Sequence, residues 1–447
     1  MNKNRGQRTI ERTFCNGVTG AVADYLFQEL SLHPTRGDYR FVSATSGPRV
    51  LTLGLIINPR HAPKVMGLAE QLSMAAGLDR NTSIRATRGN RGTLALEIPK
   101  PPSLWYNIGI QTLPRGRGLR APVGIDVDHR PARVDFGNPL TPHLLTAGTT
   151  GCGKTNTARL FIHGLASGNT PDDVKLILVD TRKRGIAWRS FESLPHLAHP
   201  VITSDNEALR ALGWAVAEMD RRSVDGRTKP AIFVTIDEAQ ALLDRDEFIK
   251  PIGDLAAVGR EFGIHLLLAT QNPTAAMLGD TSIKRNLTTR LVGKVDSAQA
   301  AQVAAGVKAT GAELLTGPGD QLLVQPSGVT RITTALVTQR DMDTLPWAEN
   351  GQHLDLGDYD DIDHVVEQAD NRAAPIQPHQ VATALVFCRG INQLAKELGV
   401  GNNRATRIKQ FATDLAQVLE NLGYTIIPHP GKDALAGVTH ETIIEAG

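Results

Sequence analysis

Cysteine and long apolar runs are scarce in this chain of 447 residues. The three cysteines, Cys15, Cys152 and Cys388, are odd in number and far apart. This argues against a disulfide framework and against a zinc site, and favours a reducing cytoplasmic location. No run of about 18 or more apolar residues occurs, so we expect no membrane span and no direct membrane insertion. The N-terminal stretch also lacks the apolar core of a signal peptide.

The chain as a whole also lacks a large excess of charge of either sign. It carries 48 Lys and Arg against 46 Asp and Glu, a formal net charge of +2, which predicts no particular partner. The distribution is less even, because residues 1–133 hold 19 basic and 9 acidic side chains. Such a basic third could face nucleic acid, or it could be an ordinary solvated surface. An acidic stretch from Asp355 to Asp370 offsets the positive charge of residues 1–133.

A complete phosphate-binding loop is present at residues 148–155, which read GTTGCGKT. The apolar run before it predicts a strand, and residues 156–165 predict a helix. This context suits a nucleoside triphosphate, since a helix N-terminus after a glycine-rich turn presents backbone N–H groups to phosphates. Lys154 would reach the β- and γ-phosphates, and the Thr155 hydroxyl would bind Mg²⁺. The predicted ATP contacts are Gly148, Thr149, Thr150, Gly151, Cys152, Gly153, Lys154, Thr155 and Asn156.

Two further polar positions follow apolar strands and complete the predicted catalytic set. Asp237 and Glu238 end the run AIFVTI, and Gln271 ends the run HLLLAT. Asp237 suits a magnesium ligand, and Glu238 suits the base that polarises the attacking water. Gln271 could bond the γ-phosphate or that water. The carboxyl edge of a parallel sheet would bring these side chains to the phosphates.

Cys152 lies inside the loop, at the start of the predicted helix and beside Lys154. This position predicts a lowered thiol pKa. We therefore expect alkylation of Cys152 to inhibit ATP hydrolysis and bound nucleotide to protect it.

The pattern of elements predicts an α/β fold with buried parallel strands, which are short and lack polar alternation. The four predicted strands of this kind are residues 144–147, 174–179, 231–236 and 265–270. Before them, residues 49–57 and 93–98 predict strands and residues 63–76 predict the one clear helix of that region. Residues 343–377 are acidic and rich in breakers, which is typical of a linker.

Near the C-terminus, residues 391–410 read INQLAKELGVGNNRATRIKQ and predict two short helices joined by a tight turn at Gly399. The second helix would expose Arg404, Arg407 and Lys409. This is a helix-turn-helix pattern, in which the second helix enters a major groove. A generic amphipathic helix pair is the alternative.

Several strings in this order resemble the motor domain of the FtsK/SpoIIIE family of double-stranded DNA translocases. They are PHLLTAGTTGCGKT, FVTIDEAQALL, REFGIHLLLATQNP and NLTTRLVGKVDSAQA. The resemblance covers about residues 122–342, and more weakly residues 38–120. It implies a RecA-like P-loop motor with a mostly parallel sheet, a small N-terminal α/β domain and a C-terminal winged helix-turn-helix. The expected domains are residues 1–121, 122–342, a linker at 343–377, and 378–447.

The resemblance also implies a homo-hexameric ring around double-stranded DNA, in which Arg260 completes the ATP site of a neighbouring subunit. Lys284 matches a DNA-facing lysine of the family, and Arg285 adjoins it. The arginine expected after Gln271 is Asn272 here, which departs from the family. Asn403 and Arg407 match DNA-reading positions of the winged helix, with Arg404 beside them, whereas Gln410 stands where the family often has an acid.

The expected function is therefore an ATP-driven hexameric motor that moves double-stranded DNA, with ATP and Mg²⁺ as cofactors. The alternatives are a protein-export ATPase of the type VII kind, a virion DNA-packaging ATPase, and a DNA-binding regulator that uses ATP as a switch. A membrane or recombination protein is open as a partner. Plasmid transfer, chromosome segregation and phage packaging all stay open as processes.

Overall fold

Two β-sheets organise the part of the chain that the computed structural model describes, namely residues 5–80, 82–89, 92–271, 281–347 and Ile408. The chain divides into two units, Met1–Tyr359 and Asp360–Gly447, and both sheets belong to the first. In the second unit Ile408 is helical and buried. Among the described residues, no helix combines the length and the apolar character needed to cross a membrane.

The first sheet has four antiparallel strands in the order β1-β2-β4-β3. The long helix α1 contributes Val18, Val22 and Leu26, spaced four residues apart, to the core that these strands share. The elements of this region are α1 (Arg5–Gln28), β1 (Tyr39–Ser46), β2 (Val50–Ile57), α2 (Ala62–Gly67), α3 (Ala69–Ala75), β3 (Arg85–Arg88) and β4 (Leu94–Pro99).

Strands β2 and β4 lie where the sequence predicts them, but the helices of this region differ from expectation. The predicted single helix over residues 63–76 is two short helices that meet at Leu68, whose backbone leaves helical geometry. Helix α1 has 24 residues and was not expected. Gly17 and Gly20 weaken its intrinsic helix propensity, so its stability depends on packing against the sheet.

The second sheet has nine strands in the order β6-β5-β13-β12-β11-β7-β10-β9-β8. Its strands are β5 (Arg120–Asp126), β6 (Pro131–Asp135), β7 (Leu144–Ala147), β8 (Val174–Val179), β9 (Ala231–Ile236), β10 (Ile264–Thr270), β11 (Thr289–Val292), β12 (Asp320–Gln325) and β13 (Gly328–Thr334). The helices that follow and separate these strands are α4 (Lys154–Gly168), α5 (Asp205–Asp225), α6 (Gln240–Leu243), α7 (Asp246–Val258), α8 (Thr281–Asn286), α9 (Ala298–Ala305) and α10 (Gln339–Met342).

The sheet is mixed rather than mostly parallel, which corrects the predicted fold. Strands β8, β9, β10, β7 and β11 run parallel, whereas β12, β13, β5 and β6 pair antiparallel. The short turns between β5 and β6 and between β12 and β13 force antiparallel pairing, because parallel neighbours need a long crossover. The predicted domain boundary at residue 121 falls inside β5.

The parallel strands are buried on both faces, which explains their lack of polar alternation. Alternate residues of β9 join different cores: Val234 lies on the side covered by α5, α7 and α9, and Phe233 lies on the side covered by α4. All four parallel strands predicted from the sequence are present, and β10 begins one residue earlier than predicted.

A buried cluster of two arginines, an aspartate and a glutamate joins the two sheets. Arg331 of β13 bonds Asp320 of β12 at 2.6 Å and Glu97 of β4 at 2.9 Å, and Glu97 bonds Arg85 of β3 at 2.8 Å. Burial alone would raise the pKa of Asp320, but the charge and hydrogen bonds of Arg331 outweigh it and hold that pKa below its usual value. The first sheet is therefore tied to strands that border the phosphate loop.

Candidate nucleotide site

The phosphate loop connects the carboxyl end of β7 to the N-terminus of α4. Gly148, Gly151 and Gly153 have φ angles of 146°, 82° and 105°, which side-chain-bearing residues rarely adopt. Neighbouring segments hold the loop in place: the N–H and the hydroxyl of Thr149 both donate to the Lys294 carbonyl, at 2.8 and 3.0 Å. The loop is thus a fixed turn at a helix N-terminus, as triphosphate binding requires.

Lys154 and Thr155 are the first two residues of α4. The Lys154 ammonium donates to the carbonyl oxygens of Gly148 and Thr149 at 2.7 and 3.0 Å, so it lies over the loop itself. The Asn156 amide instead bonds the backbone of Ala335 and Val337, at 2.8 and 3.0 Å. Any contact between Asn156 and nucleotide therefore comes from its backbone.

Cys152 is not the reactive thiol that its sequence position predicts. Only 3% of the residue is exposed. The thiol packs between two glycines, since a Cβ built on Gly148 or Gly293 would lie 2.8 or 2.7 Å from its sulfur. Burial raises the pKa of Cys152, and this outweighs the lowering effect of Lys154 and the nearby backbone N–H groups. The expected lowered pKa is therefore wrong.

Asp237 and Glu238 follow β9 at the same edge of the sheet. Asp237 is 3% exposed, and its Oδ1 atom is buried with no hydrogen-bond partner among the described residues. Burial raises the pKa of Asp237, although its contact with Lys183 opposes that shift. Glu238 has a φ angle of 53°, a left-handed conformation that is strained for glutamate.

Gln271 connects the phosphate loop to Glu238. Its amide nitrogen donates to Glu238 Oε1 at 2.7 Å, and its amide oxygen accepts from the Thr150 hydroxyl at 2.8 Å. The three side chains come from the loop and from the ends of β9 and β10. Gln271 thus links Thr150 of the loop to Glu238 through two hydrogen bonds.

Two residues of this site were missed from the sequence, and both follow β8. Lys183 bonds Asp237 Oδ2 at 2.9 Å and Glu238 Oε1 at 3.3 Å. Asp180 is fully buried and accepts from the backbone N–H groups of Lys183 and Ala187. For Asp180 the sequence did carry a signal, because Asp180 ends an apolar run at the same predicted sheet edge as Asp237.

The residues present fit a bound Mg²⁺. Magnesium prefers oxygen ligands and is usually held by one or two protein groups together with phosphates and waters. The Thr155 hydroxyl and the unpartnered Oδ1 of Asp237 are such oxygens. The described residues contain no group of three or more His, Cys, Asp or Glu that could hold a metal by themselves.

Arg260 lies at the opposite edge of the sheet from the phosphate loop. It belongs to a 3-10 helix, Gly259–Phe262, just before the amino end of β10, and it donates to the Pro139 carbonyl at 2.8 Å. Strand β10 has seven residues, so Arg260 and Gln271 are separated by about 20 Å. Arg260 therefore cannot act on the phosphate loop of its own chain.

The predicted DNA contacts are less well defined. Lys284 and Arg285 are both exposed, near the end of the short helix α8. Asn272, Asn403, Arg404, Arg407 and Gln410 lie outside the described residues.

Residues 110–225, which contain the phosphate loop and Lys183, match the model of the FtsK/SpoIIIE family. The resemblance to that family is confirmed. Among curated relatives, a DNA translocase FtsK of Streptomyces coelicolor is 33% identical over 391 residues, 76% of this chain and 40% of the relative. One of Lactiplantibacillus plantarum is 28% identical over 390 residues, 77% of this chain and 48% of the relative. The chain thus spans under half of the length of these relatives.

Two solved structures are similar to parts of this chain. One is the pCW3 conjugation coupling protein TcpA, in a monomer form with ATPγS, which is 19% identical. The match covers 78% of this chain and 99% of the TcpA chain, with a TM-score of 0.49. The other is the cytoplasmic domain of the Thermomonospora curvata type VII secretion ATPase EccC, which is 26% identical. The match covers 54% of this chain and 32% of the EccC chain, with a TM-score of 0.46.

Proposed function

We propose that this FtsK/SpoIIIE-like chain hydrolyses ATP and uses the energy to translocate double-stranded DNA. The observation that carries the ATPase part is the hydrogen-bonded path from Thr150 through Gln271 to Glu238. The names of the curated relatives support DNA as the substrate.

In this proposal Lys154 and the loop N–H groups bind the phosphates of ATP. Mg²⁺, held by Thr155 and Asp237, would supply charge neutralisation on the phosphates. Glu238 orients the attacking water and takes up its proton, and Gln271 holds Glu238 in place. Phosphoryl transfer needs this positioning and charge stabilisation more than covalent chemistry.

The oligomer is part of the same proposal. Since Arg260 cannot reach its own phosphate loop, we propose that it completes the site of a neighbouring subunit in a hexameric ring. An arginine suits this role because it stays charged and bridges phosphate oxygens in fork geometry. Lys284 and Arg285 would then contact the DNA backbone, and residues 378–447 would orient the motor through Asn403, Arg404, Arg407 and Gln410.

Displacement of a triplex-forming strand from linear duplex DNA tests the motor. We expect the wild-type chain to displace the strand with ATP and Mg²⁺, and Lys154→Ala to displace none, because it lacks the phosphate-binding ammonium. Glu238→Gln should bind a fluorescent ATP analogue but stall.

Two results would contradict DNA translocation. If wild-type protein hydrolyses ATP without displacing the strand and without stimulation by duplex DNA, the substrate is not DNA, and stimulation by an exported polypeptide becomes the next measurement. If Glu238→Gln retains full function, ATP acts as a switch rather than as fuel.

A further inference from the structure

The turn after β8 places one cation between the two acids of the site. Lys183 Nζ is 2.9 Å from Asp237 Oδ2 and 3.3 Å from Glu238 Oε1. At these distances the Lys183 ammonium bridges Asp237 to Glu238.

The position of Lys183 is determined by the backbone. The buried carboxylate of Asp180 accepts from the Lys183 N–H at 2.8 Å and from the Ala187 N–H at 3.2 Å, which fixes the turn. Arg184 and Gly185 adopt φ angles of 51° and 76°, as the tight turn requires. The Lys183 side chain is nevertheless 39% exposed. The backbone of Lys183 is therefore held in place, whereas its ammonium has room to move into solvent.

The two oxygens of Asp237 have different surroundings. Oδ2 is held by Lys183, whereas Oδ1 is buried and has no hydrogen-bond partner among the described residues. A divalent cation on Oδ1 and an ammonium on Oδ2 would repel each other within a few ångströms, in a region of low effective dielectric. A cation bound at one oxygen of Asp237 therefore weakens the binding of a cation at the other.

We propose that Lys183 is a positioning residue that holds Asp237 and Glu238 together in the resting site and leaves Asp237 when magnesium is bound with the nucleotide. This inference rests on the proposed ATPase function. Lys183 keeps its contact with Glu238 in both states, so Glu238 is freed from Asp237 only after the metal has been taken up. Hydrolysis is thereby made to depend on a loaded magnesium site.

Magnesium titration of nucleotide binding tests this competition without requiring turnover. A fluorescent, non-hydrolysable ATP analogue is bound to wild type, Lys183→Met, Lys183→Arg and Lys250→Met. Lys250 is the matched control, because it also forms a half-exposed pair with an aspartate, Asp254, at 3.2 Å. Removing the competing ammonium should lower the half-saturating Mg²⁺ concentration about tenfold in Lys183→Met. Lys183→Arg and Lys250→Met should stay within about twofold of wild type.

Thermal unfolding supplies a second readout. Without metal, Lys183→Met should melt at a lower temperature than wild type, because the buried Asp237 carboxylate has lost its counter-ion. Added Mg²⁺ and analogue should then stabilise Lys183→Met more than they stabilise wild type.

An unchanged or raised Mg²⁺ midpoint in Lys183→Met overturns the inference, as does failure of Lys183→Arg to restore the wild-type midpoint. Failure of the proposed function would look different. If Lys183→Met shows the expected shift in the Mg²⁺ midpoint but the wild-type chain displaces no strand, translocation is refuted and the role of Lys183 stands.

Discussion

Glycines on both sides of Cys152 determine what its thiol can do. The sulfur fills the space beside Gly148 and Gly293, where a methyl group on either glycine would overlap it. A residue that the sequence places next to a lysine and at a helix N-terminus is therefore buried. Because the thiolate is the reactive species, a raised pKa and burial both slow its alkylation.

We accordingly expect N-ethylmaleimide to label Cys152 at least roughly tenfold more slowly than the partly exposed Cys15 at neutral pH. Peptide mass spectrometry after brief exposure measures both rates in one sample. The control is the same reaction in denaturant, in which the two cysteines should react alike. Equal labelling of Cys15 and Cys152 in the folded protein would contradict the buried position.

The contact between Lys183 and Asp237 could not be predicted from the sequence around either residue. The roles proposed for Lys154, Asp237 and Glu238 follow from sequence motifs, so the sequence alone predicts them. Lys183 lies 54 residues before Asp237 and meets it only because β8 and β9 are adjacent parallel strands. No local pattern specifies that contact.

At the scale of elements, four of the five parallel strands could be predicted, whereas β11 and the antiparallel strands of the same sheet could not. Strands β7 to β10 are short apolar runs bounded by turns, and burial on both faces leaves a strong signal in their composition. Strands β12 and β13 contain polar residues such as Asp320 and Arg331, which are buried because they pair with each other. Paired burial of charges has no signature in one sequence.

The amino ends of β7 and β10 bring together two histidines that were not singled out from the sequence. His143 precedes β7, and His265 is the second residue of β10, stacked on Phe233 at 4.8 Å. Burial lowers the pKa of His143 to about 3 and that of His265 to about 4. Both are therefore neutral in the folded protein at neutral pH.

These two histidines should make the protein less stable in acid. In the unfolded chain each histidine gains a proton below pH about 6.5, whereas the folded protein takes it up only near pH 3 to 4, so acid favours unfolding. Between pH 7 and pH 5 each should cost about 2 kcal/mol of unfolding free energy. Denaturant titrations at the two pH values measure the loss.

His265→Asn is the variant for this test, because its amide can still donate to the Pro142 carbonyl that His265 bonds at 2.9 Å. The variant should be less stable than wild type at pH 7 but should lose about 2 kcal/mol less on acidification. His129→Asn is the control, since His129 is exposed and its φ of 63° suits asparagine. An acid loss in His265→Asn as large as that of wild type would contradict the prediction.

At the scale of the whole molecule, the proposed catalytic residues lie at two opposite edges of the nine-stranded sheet. The phosphate loop, Glu238 and Gln271 occupy the carboxyl edge, and Arg260 occupies the amino edge about 20 Å away. In a head-to-tail ring each chain would supply one edge to each of two interfaces. Motifs predict the phosphate loop, Glu238 and Gln271, whereas this separation depends on the length and direction of β10.

Subunit mixing distinguishes residues that act on the same site from those that act across an interface. Arg260→Ala and Lys154→Ala chains should each hydrolyse little ATP alone, whereas a 1:1 mixture should regain activity. In random rings about one interface in four joins an intact loop from one mutant to an intact Arg260 from the other. Recovery, measured as DNA-stimulated phosphate release, should follow this fraction as the ratio is varied.

The matched control mixes Lys154→Ala with Glu238→Gln chains. This mixture should recover nothing, because Gln271 and Thr150 place Glu238 and the loop in one chain. Recovery in the control, or none with Arg260→Ala at any ratio, would refute an Arg260 that acts between subunits.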